Sequence, residues 1–229
     1  MLPDIQIILV PKGAEYQAVC RGLQDVFNPP TVFPVPVGSA PLAQYLQQLH
    51  QTGCLFEQQC VLMMGLCGGL APAFTVGNVV LYESCITSHD LLAPAFSCDR
   101  SLTAAIQATL GNSVKLVRAV TSDRVISRAL EKQALGQQFH ADVVDMEGIT
   151  ALKILTQIGV KVAMLRVVSD DCQADIPNLA NAFDANGSLK PTTLAIAMMR
   201  EPIAAIHLIR GSTKGLKILQ NLTARLLSS

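Results

Sequence analysis

Val143-Val144-Asp145-Met146-Glu147-Gly148, a helical pattern from Ile149 to Gly159, and then Val162-Ala163-Met164-Leu165-Arg166-Val167-Val168-Ser169-Asp170-Asp171 form the stretch whose reading decides the fold. Two β-type runs, each closing on acidic residues, flank one helix. A strand–helix–strand unit predicts parallel strands, so that both end on the same edge of a sheet. That edge is where open α/β sheets bind ligands. The spacing therefore predicts Glu147 and Asp170 on one rim, with Arg166 one strand length back. Two carboxylates and a guanidinium on one rim suit chemistry on a polar, hydroxyl-bearing small molecule.

The rest of the chain extends the same alternation. Ile5–Val10 reads as a first buried strand, ended by Pro11-Lys12-Gly13, with a helix from Ala14 to Leu23. Thr31–Val37 carries prolines and predicts an edge strand. Pro41–His50 is helical, with Leu42, Tyr45, Leu46 and Leu49 on one face. Cys60–Met64 is a strand running into Gly65-Leu66-Cys67-Gly68-Gly69-Leu70, and Val76–Glu83 is another. A helix over Leu102–Leu110, a strand over Val114–Thr121 and an amphipathic helix over Ser127–Phe139 follow. Strands alternating with helices imply a three-layer α/β/α fold around a mixed, mostly parallel sheet. Residues 1–229 are expected to form one domain, with 186–229 as a helical cap.

Half of the chain is hydrophobic and its formal net charge is zero. A neutral balance excludes a nucleic-acid partner, because phosphate binding needs a basic surface. The chain has no Trp and little aromatic content, which removes stacking platforms for single strands. The seven cysteines show no C-x-x-C spacing and read as reduced, buried thiols of a cytoplasmic protein. No paired ligands stand at the spacing of a metal site. Asp4 and the short apolar run Ile5–Val10 do not make a signal peptide. Val61–Tyr82 is uncharged and long enough to span a bilayer, but Gly68-Gly69, Pro72 and Gly77-Asn78 divide it into two buried strands.

Several motifs, in order, resemble those of the nucleoside phosphorylase and nucleosidase superfamily. Gly65-x-Cys67-Gly68-Gly69-Leu70-Ala71-Pro72, followed by Val76-Gly77-Asn78-Val79-Val80, is similar to its central glycine-rich motif. Val144-Asp145-Met146-Glu147 resembles its ribose-binding segment, and Arg166-Val167-Val168-Ser169-Asp170 its purine-acid segment. Glu15 falls where the family's nucleosidases place a catalytic glutamate. The resemblance spans about residues 5–180. The run Asp170–Pro177 and the basic helical C-terminus look closest to the hopanoid-associated phosphorylases, which implies a 5′-substituted adenosine such as adenosylhopane as substrate.

The chemistry fits these residue types. Cleaving an N-ribosidic bond passes through an oxocarbenium-like sugar, and the departing base needs a proton. A carboxylic acid partly buried against apolar side chains supplies one, a role that falls to Asp170 near the purine N7. The competing reading of Asp170 is a helix N-cap, given the sequence Ser169-Asp170-Asp171. Glu147 is read as accepting from the ribose 2′- and 3′-hydroxyls, against a dipole-facing acid of the first helical turn. The resemblance makes Glu15 and Arg166 the holders of the nucleophile. It also places Met146 under the sugar, Asp145, Ser169, Cys67, Gly68 and Gly69 around the substrate, and Val125 and Ile126 as apolar walls of a loop over the base, with core packing as the competing reading of Met146, Val125 and Ile126. His89, with Asp90, falls where related nucleosidases have a His-Asp pair near the site and a subunit contact, and a surface turn is the competing reading. His50, His140 and His207 show no metal spacing and read as structural.

Water and phosphate both remain open as nucleophile at this stage. No metal or organic cofactor is implied, and phosphate enters only as a co-substrate. Leu66 departs from the family's hydroxyl residue, and Met63 and Met64 stand where some phosphorylases carry an arginine. Backbone N–H groups near Gly68-Gly69 and Gly38-Ser39, with Lys12, Arg124 or Arg166, are the alternative donors to phosphate. The resemblance also implies a homo-oligomer, as dimer, trimer or hexamer. The tail beyond Ala185 holds six basic residues and one acid, about +5, leaving about −5 on the body. It reads either as a helical cap with a solvated basic face or as an interfacial element touching an anionic membrane, with Ile203, Ile206, Leu208, Ile209, Leu216, Ile218, Leu219, Leu222 and Leu226 as its apolar face. Two further readings compete with catalysis: a nucleoside-binding sensor of the same fold, and a membrane-associated scaffold.

Overall fold

The computed structural model describes residues 4–184 and 186–227. Its centre is a mixed eight-stranded sheet. Strand β1 (Ile7–Pro11) pairs in parallel with β2 (Thr31–Val35) on one side and with β3 (Cys60–Gly69) on the other. Proline-bearing β2 lies at the edge of the sheet, where a missing N–H costs no ladder bond. The remaining strands are β4 (Val79–Thr87), β5 (Phe96–Ser97), β6 (Val114–Thr121), β7 (Val143–Asp145) and β8 (Lys161–Asp170). β8 pairs in parallel with β3 and antiparallel with β4, β4 pairs with β6, β6 with β7, and β7 returns antiparallel to β3. These five strands therefore close into a ring.

One expectation fails here. β7 and β8 are not parallel neighbours, because β7 runs antiparallel to β3 while β8 runs parallel to it. The cause is the length of β3, which continues through its glycines to Gly69 instead of stopping at Met64. Gly68 faces Val144 on one side and Asp170 on the other. The two acidic strand ends thus meet across the third strand.

Alternate strand residues divide the core into two layers. Leu9, Met63, Val143 and Met164 pack with α2 (Ser39–Gln51) and α5 (Gly148–Ile158). Ile8, Leu62, Leu81 and Leu165 pack with α1 (Ala14–Gly22), α3 (Arg100–Leu110) and the C-terminal α7 (Pro202–Leu227). This period of two is the pattern of strands covered on both faces. A smaller cluster of Leu70, Val120, Ile126 and Phe139 lies under α4 (Ala129–Phe139).

Helix α4 lacks the clean apolar face its sequence suggests: its buried residues are Lys132 and Phe139. Helix α7 differs from expectation along its length. Leu219, Leu222 and Leu226 are buried, but Ile203, Ile206 and Ile209 face outward, 46–73% exposed. What brings α7 onto the sheet is a glycine seam. A Cβ at Gly211 would lie 3.2 Å from the carbonyl carbon of Ser169, and one at Gly215 would lie 2.9 Å from Leu66 Cδ2. α6 (Pro191–Arg200) precedes it. Among the described residues no helix is long and apolar enough to cross a membrane, and all seven cysteines are free thiols.

Candidate active site

The ends of β3, β7 and β8 and the turn after β1 surround a cavity of about 200 Å³. Glu15 enters it from the first turn of α1, just past the turn at Gly13. Its Oε1 accepts a hydrogen bond from the Leu66 backbone N–H at 2.7 Å. Gly65, at φ +153°, permits this approach, since a Cβ there would stand 2.7 Å from Glu15 Oε1 and would also overlap the Arg166 guanidinium. Burial raises the Glu15 pKa, offset in part by the Leu66 N–H and by Arg166. The Leu66 side chain packs toward α7, so the contact that holds Glu15 uses backbone alone and does not need a hydroxyl at this position.

Arg166 is fully buried on β8, on the alternation that faces α2 and α5. Its Nη1 donates to the Met64 carbonyl at 3.3 Å, and its Nη2 lies 3.6 Å from Asp145 Oδ2. Among the described residues its Nε and Nη2 make no hydrogen bond. Burial opposes the charge, but Asp145, Tyr82, Glu147 and Glu15 hold the guanidinium's pKa above its ordinary value. Three acids of the site floor thus share one guanidinium behind it.

Asp145 closes the corner between β7 and α5. It accepts from Thr121 Oγ1 at 2.8 Å and from the Gly148 N–H at 3.1 Å. Glu147 stands at the start of α5, yet its side chain does not cap the helix. Its Oε1 accepts instead from the Gly38 N–H at 2.9 Å, which ties α5 to the start of α2. Burial lifts the Glu147 pKa to about 7, against the lowering effect of Arg166. Ser39 Oγ donates to the Met146 carbonyl at 3.3 Å and fixes the same corner.

Asp170 ends β8. Its Oδ1 accepts from Ser169 Oγ at 2.7 Å, and its Oδ2 is ion-paired with Lys132 Nζ. The capping alternative for Asp170 has no helix to cap, since the next helix begins at Pro191. Glu15, Glu147, Asp170, Asp145, Met146, Ser169, Cys67, Gly68, Val125 and Ile126 all line the one cavity. Burial pushes the Cys67 thiol far up, so it contributes shape and not a thiolate.

Three expected residues do not line it. Arg166 lies behind the floor and acts through its neighbours. Gly69 sits one step past the cavity, packed against Phe74 and Val168. His89 is exposed on the turn after β4, where its N–H bonds back to Thr87 Oγ1. Sequence reasoning missed Lys132 and the apolar wall of Val37, Ile176, Leu179, Phe183 and Leu208. A signal for Lys132 existed: it interrupts the helical stripe that Leu135 and Phe139 continue.

A family model described as the phosphorylase superfamily matches residues 28–199. No curated protein matches the sequence significantly. Among solved structures, a 5′-methylthioadenosine/S-adenosylhomocysteine nucleosidase from Helicobacter pylori superposes with a TM-score of 0.69 at 15% identity, covering 95% of this chain and 96% of its own. A putative nucleosidase of the same description from Francisella philomiragia gives 0.70 at 13% identity, covering 96% of each chain. The futalosine hydrolase of Helicobacter pylori gives 0.67 at 16%, covering 95% and 97%. These likenesses extend over nearly the whole chain and show the fold. The chain belongs to the phosphorylase superfamily, the family of nucleosidases and nucleoside phosphorylases that its motifs resemble.

Proposed function

We propose that this protein cleaves the N-glycosidic bond of a purine nucleoside, with water as the nucleophile. The observation that carries the reading is the convergence of Glu15, Glu147 and Asp170 on one cavity. Glu147, a buried carboxylate, accepts from the 2′- and 3′-hydroxyls of the ribose, and these bonds strengthen as the sugar becomes cationic. Asp170 gives a proton to N7 of the departing base. Glu15, its pKa raised by burial, takes a proton from the attacking water. The unpartnered donors of Arg166 lie behind it.

The site's charge supports water over phosphate. Three carboxylates around a single guanidinium repel a dianion. The other cations near the site are paired: Lys132 with Asp170, Arg124, which lines the cavity, with Glu131, and Lys12 with Ser188 Oγ and the Asn186 carbonyl. The Gly38 N–H is committed to Glu147. The apolar wall of Leu179, Phe183 and Leu208 favours a 5′ substituent that is apolar, of which the hopane of adenosylhopane is one example.

The test is base release from a panel of 5′-substituted adenosines, with and without phosphate. Release of the free 5′-substituted ribose at a rate unchanged by phosphate supports the reading. Ribose 1-phosphate would replace water with phosphate, and binding without release of base would leave a sensor.

Two surfaces support the proposals about partners. Leu91 and Leu92, beside His89, are 57% and 93% exposed and suit a subunit contact in a homo-oligomer. Ile203, 73% exposed between Arg200 and Arg210 in sequence, suits peripheral contact with an anionic membrane. Sedimentation velocity tests the first. Co-sedimentation with anionic and neutral vesicles tests the second.

A further inference from the structure

Lys132 is the least expected side chain of the cavity's surroundings. It projects from the first turn of α4 and is fully buried. Its ammonium contacts Asp170 Oδ2 and donates to the Asp171 carbonyl at 3.2 Å. The stripe it belongs to continues through Leu135 and Phe139 into an apolar cluster. Replacing the Lys132–Asp170 pair together by packed apolar side chains would avoid the desolvation cost of buried charge, and such paired replacements are often neutral or stabilising, whereas removing one partner alone is not. Stability alone therefore gives no reason for a lysine at this point.

The chemistry of Asp170 gives one. We infer that Lys132 is a positioning residue for the proton transfer: it holds the carboxylate that Asp170 becomes when it protonates the leaving base. This rests on the cleavage reading above. As the C1′–N9 bond breaks, its electron pair moves onto the purine. The Asp170 O–H bond breaks and an N7–H bond forms. Asp170, protonated from solvent as the substrate enters, returns to its anion on giving that proton to N7, and Lys132, in contact throughout, balances the charge while keeping its own protons. A charge held in place before the reaction needs no reorganisation during it. Ser169 Oγ fixes the other carboxyl oxygen, so the group cannot turn away from its partner.

The backbone around Lys132 is built to keep this contact. The Ala129 N–H donates to Asp175 Oδ1 at 2.7 Å, and Gln133 Nε2 to the Cys172 carbonyl at 2.8 Å. Arg128 pairs with Asp175 at 3.1 Å. One face of α4 is thus laced to the segment that follows β8, with Lys132 at its centre.

The experiment compares two substrates in wild type, Lys132→Met and Lys132→Arg. One is a purine nucleoside whose base needs a proton to leave. The other is the same nucleoside methylated at N7, whose base departs without one. In Lys132→Met, kcat on the first should fall by about a hundredfold or more, within the range of general-acid contributions, with KM changed little. On the N7-methylated substrate kcat should stay near wild type. Lys132→Arg retains the charge and should show the same split at smaller size, which keeps the test alive if the methionine variant does not fold. Equal losses on both substrates would mark a purely structural brace and overturn the inference, as would no loss on either. A wild-type protein inert toward both defeats the cleavage reading itself, and this inference with it.

Discussion

Asp145 and Arg166 face one another across 3.6 Å in the interior, with side chains 1% and 0% exposed. The pair is the electrostatic centre of the site, because Glu15 and Glu147 also act on the same guanidinium. Removing one member of a buried pair leaves an uncompensated charge, at a cost of about 3–5 kcal/mol. Arg166→Met should therefore lower urea-unfolding stability by that order and abolish turnover. Adding Asp145→Asn to it should restore part of the stability and none of the rate. Equal stability of Arg166→Met and wild type would show that the pair does not organise the floor.

Asp170→Asn removes the proposed acid and should reduce turnover by about 10²- to 10⁴-fold. It should also destabilise the fold, since the Lys132 ammonium loses its anion in a buried position. The double variant Asp170→Asn/Lys132→Met should melt close to wild type and stay inactive. An Asp170→Asn variant that turns over normally would remove Asp170 from the chemistry.

Glu147 is proposed to read the sugar diol. Nucleosides lacking the 2′-hydroxyl should be poor substrates, because the carboxylate then keeps an unmet acceptor in a buried site. Glu147→Gln should lose most activity on ribosides and little further on 2′-deoxyribosides. Competition kinetics on matched sugars measures this, and equal use of both by the wild type would discredit the role.

The same residue sets a pH signature of stability. Its pKa is raised from 4.5 to about 7 in the folded protein. Between these values the folded state binds more protons than the unfolded state, so stability falls as pH rises. The contribution is full below about pH 4.5 and lost as pH passes about 7. Melting temperatures of wild type and Glu147→Gln, compared from pH 4.5 to 7.5, should diverge with wild type losing more on the alkaline side. Parallel curves would place the Glu147 carboxyl in solvent.

How far the sequence could be read depended on the kind of interaction. Strands and helices with a plain apolar period, such as β6 and α3, were legible because burial alone sets them. The convergence of Glu147 and Asp170 was legible as a destination but not as a route. It depends on β3 running through Gly65 and Gly68-Gly69, and glycines read as a turn when their pairing partners lie far along the chain. Lys132 could be noticed as a break in an apolar stripe, but its role could not be read, because its partner is 38 residues away and no local rule links them. The outward Ile203, Ile206 and Ile209 could not be told from the buried leucines for a related reason: on α7 the buried side is set by Gly211 and Gly215, which carry no hydropathy signal. His89 was placed by resemblance, and its turn leads to the surface within this chain.

The closed circuit of β3, β8, β4, β6 and β7 has an evolutionary consequence. A hoop of paired strands cannot slide one member without breaking ladders on two sides, so Arg166, Asp145 and Asp170 sit on a chassis that resists drift. Leu179, Phe183 and Leu208 hang from irregular chain and from a helix seated on two glycines, outside that hoop. Substitutions there can retune which nucleoside is admitted while the bond-breaking apparatus stays untouched. New specificities in this lineage should therefore arise from the stretch between β8 and α7, with the hooped floor inherited unchanged.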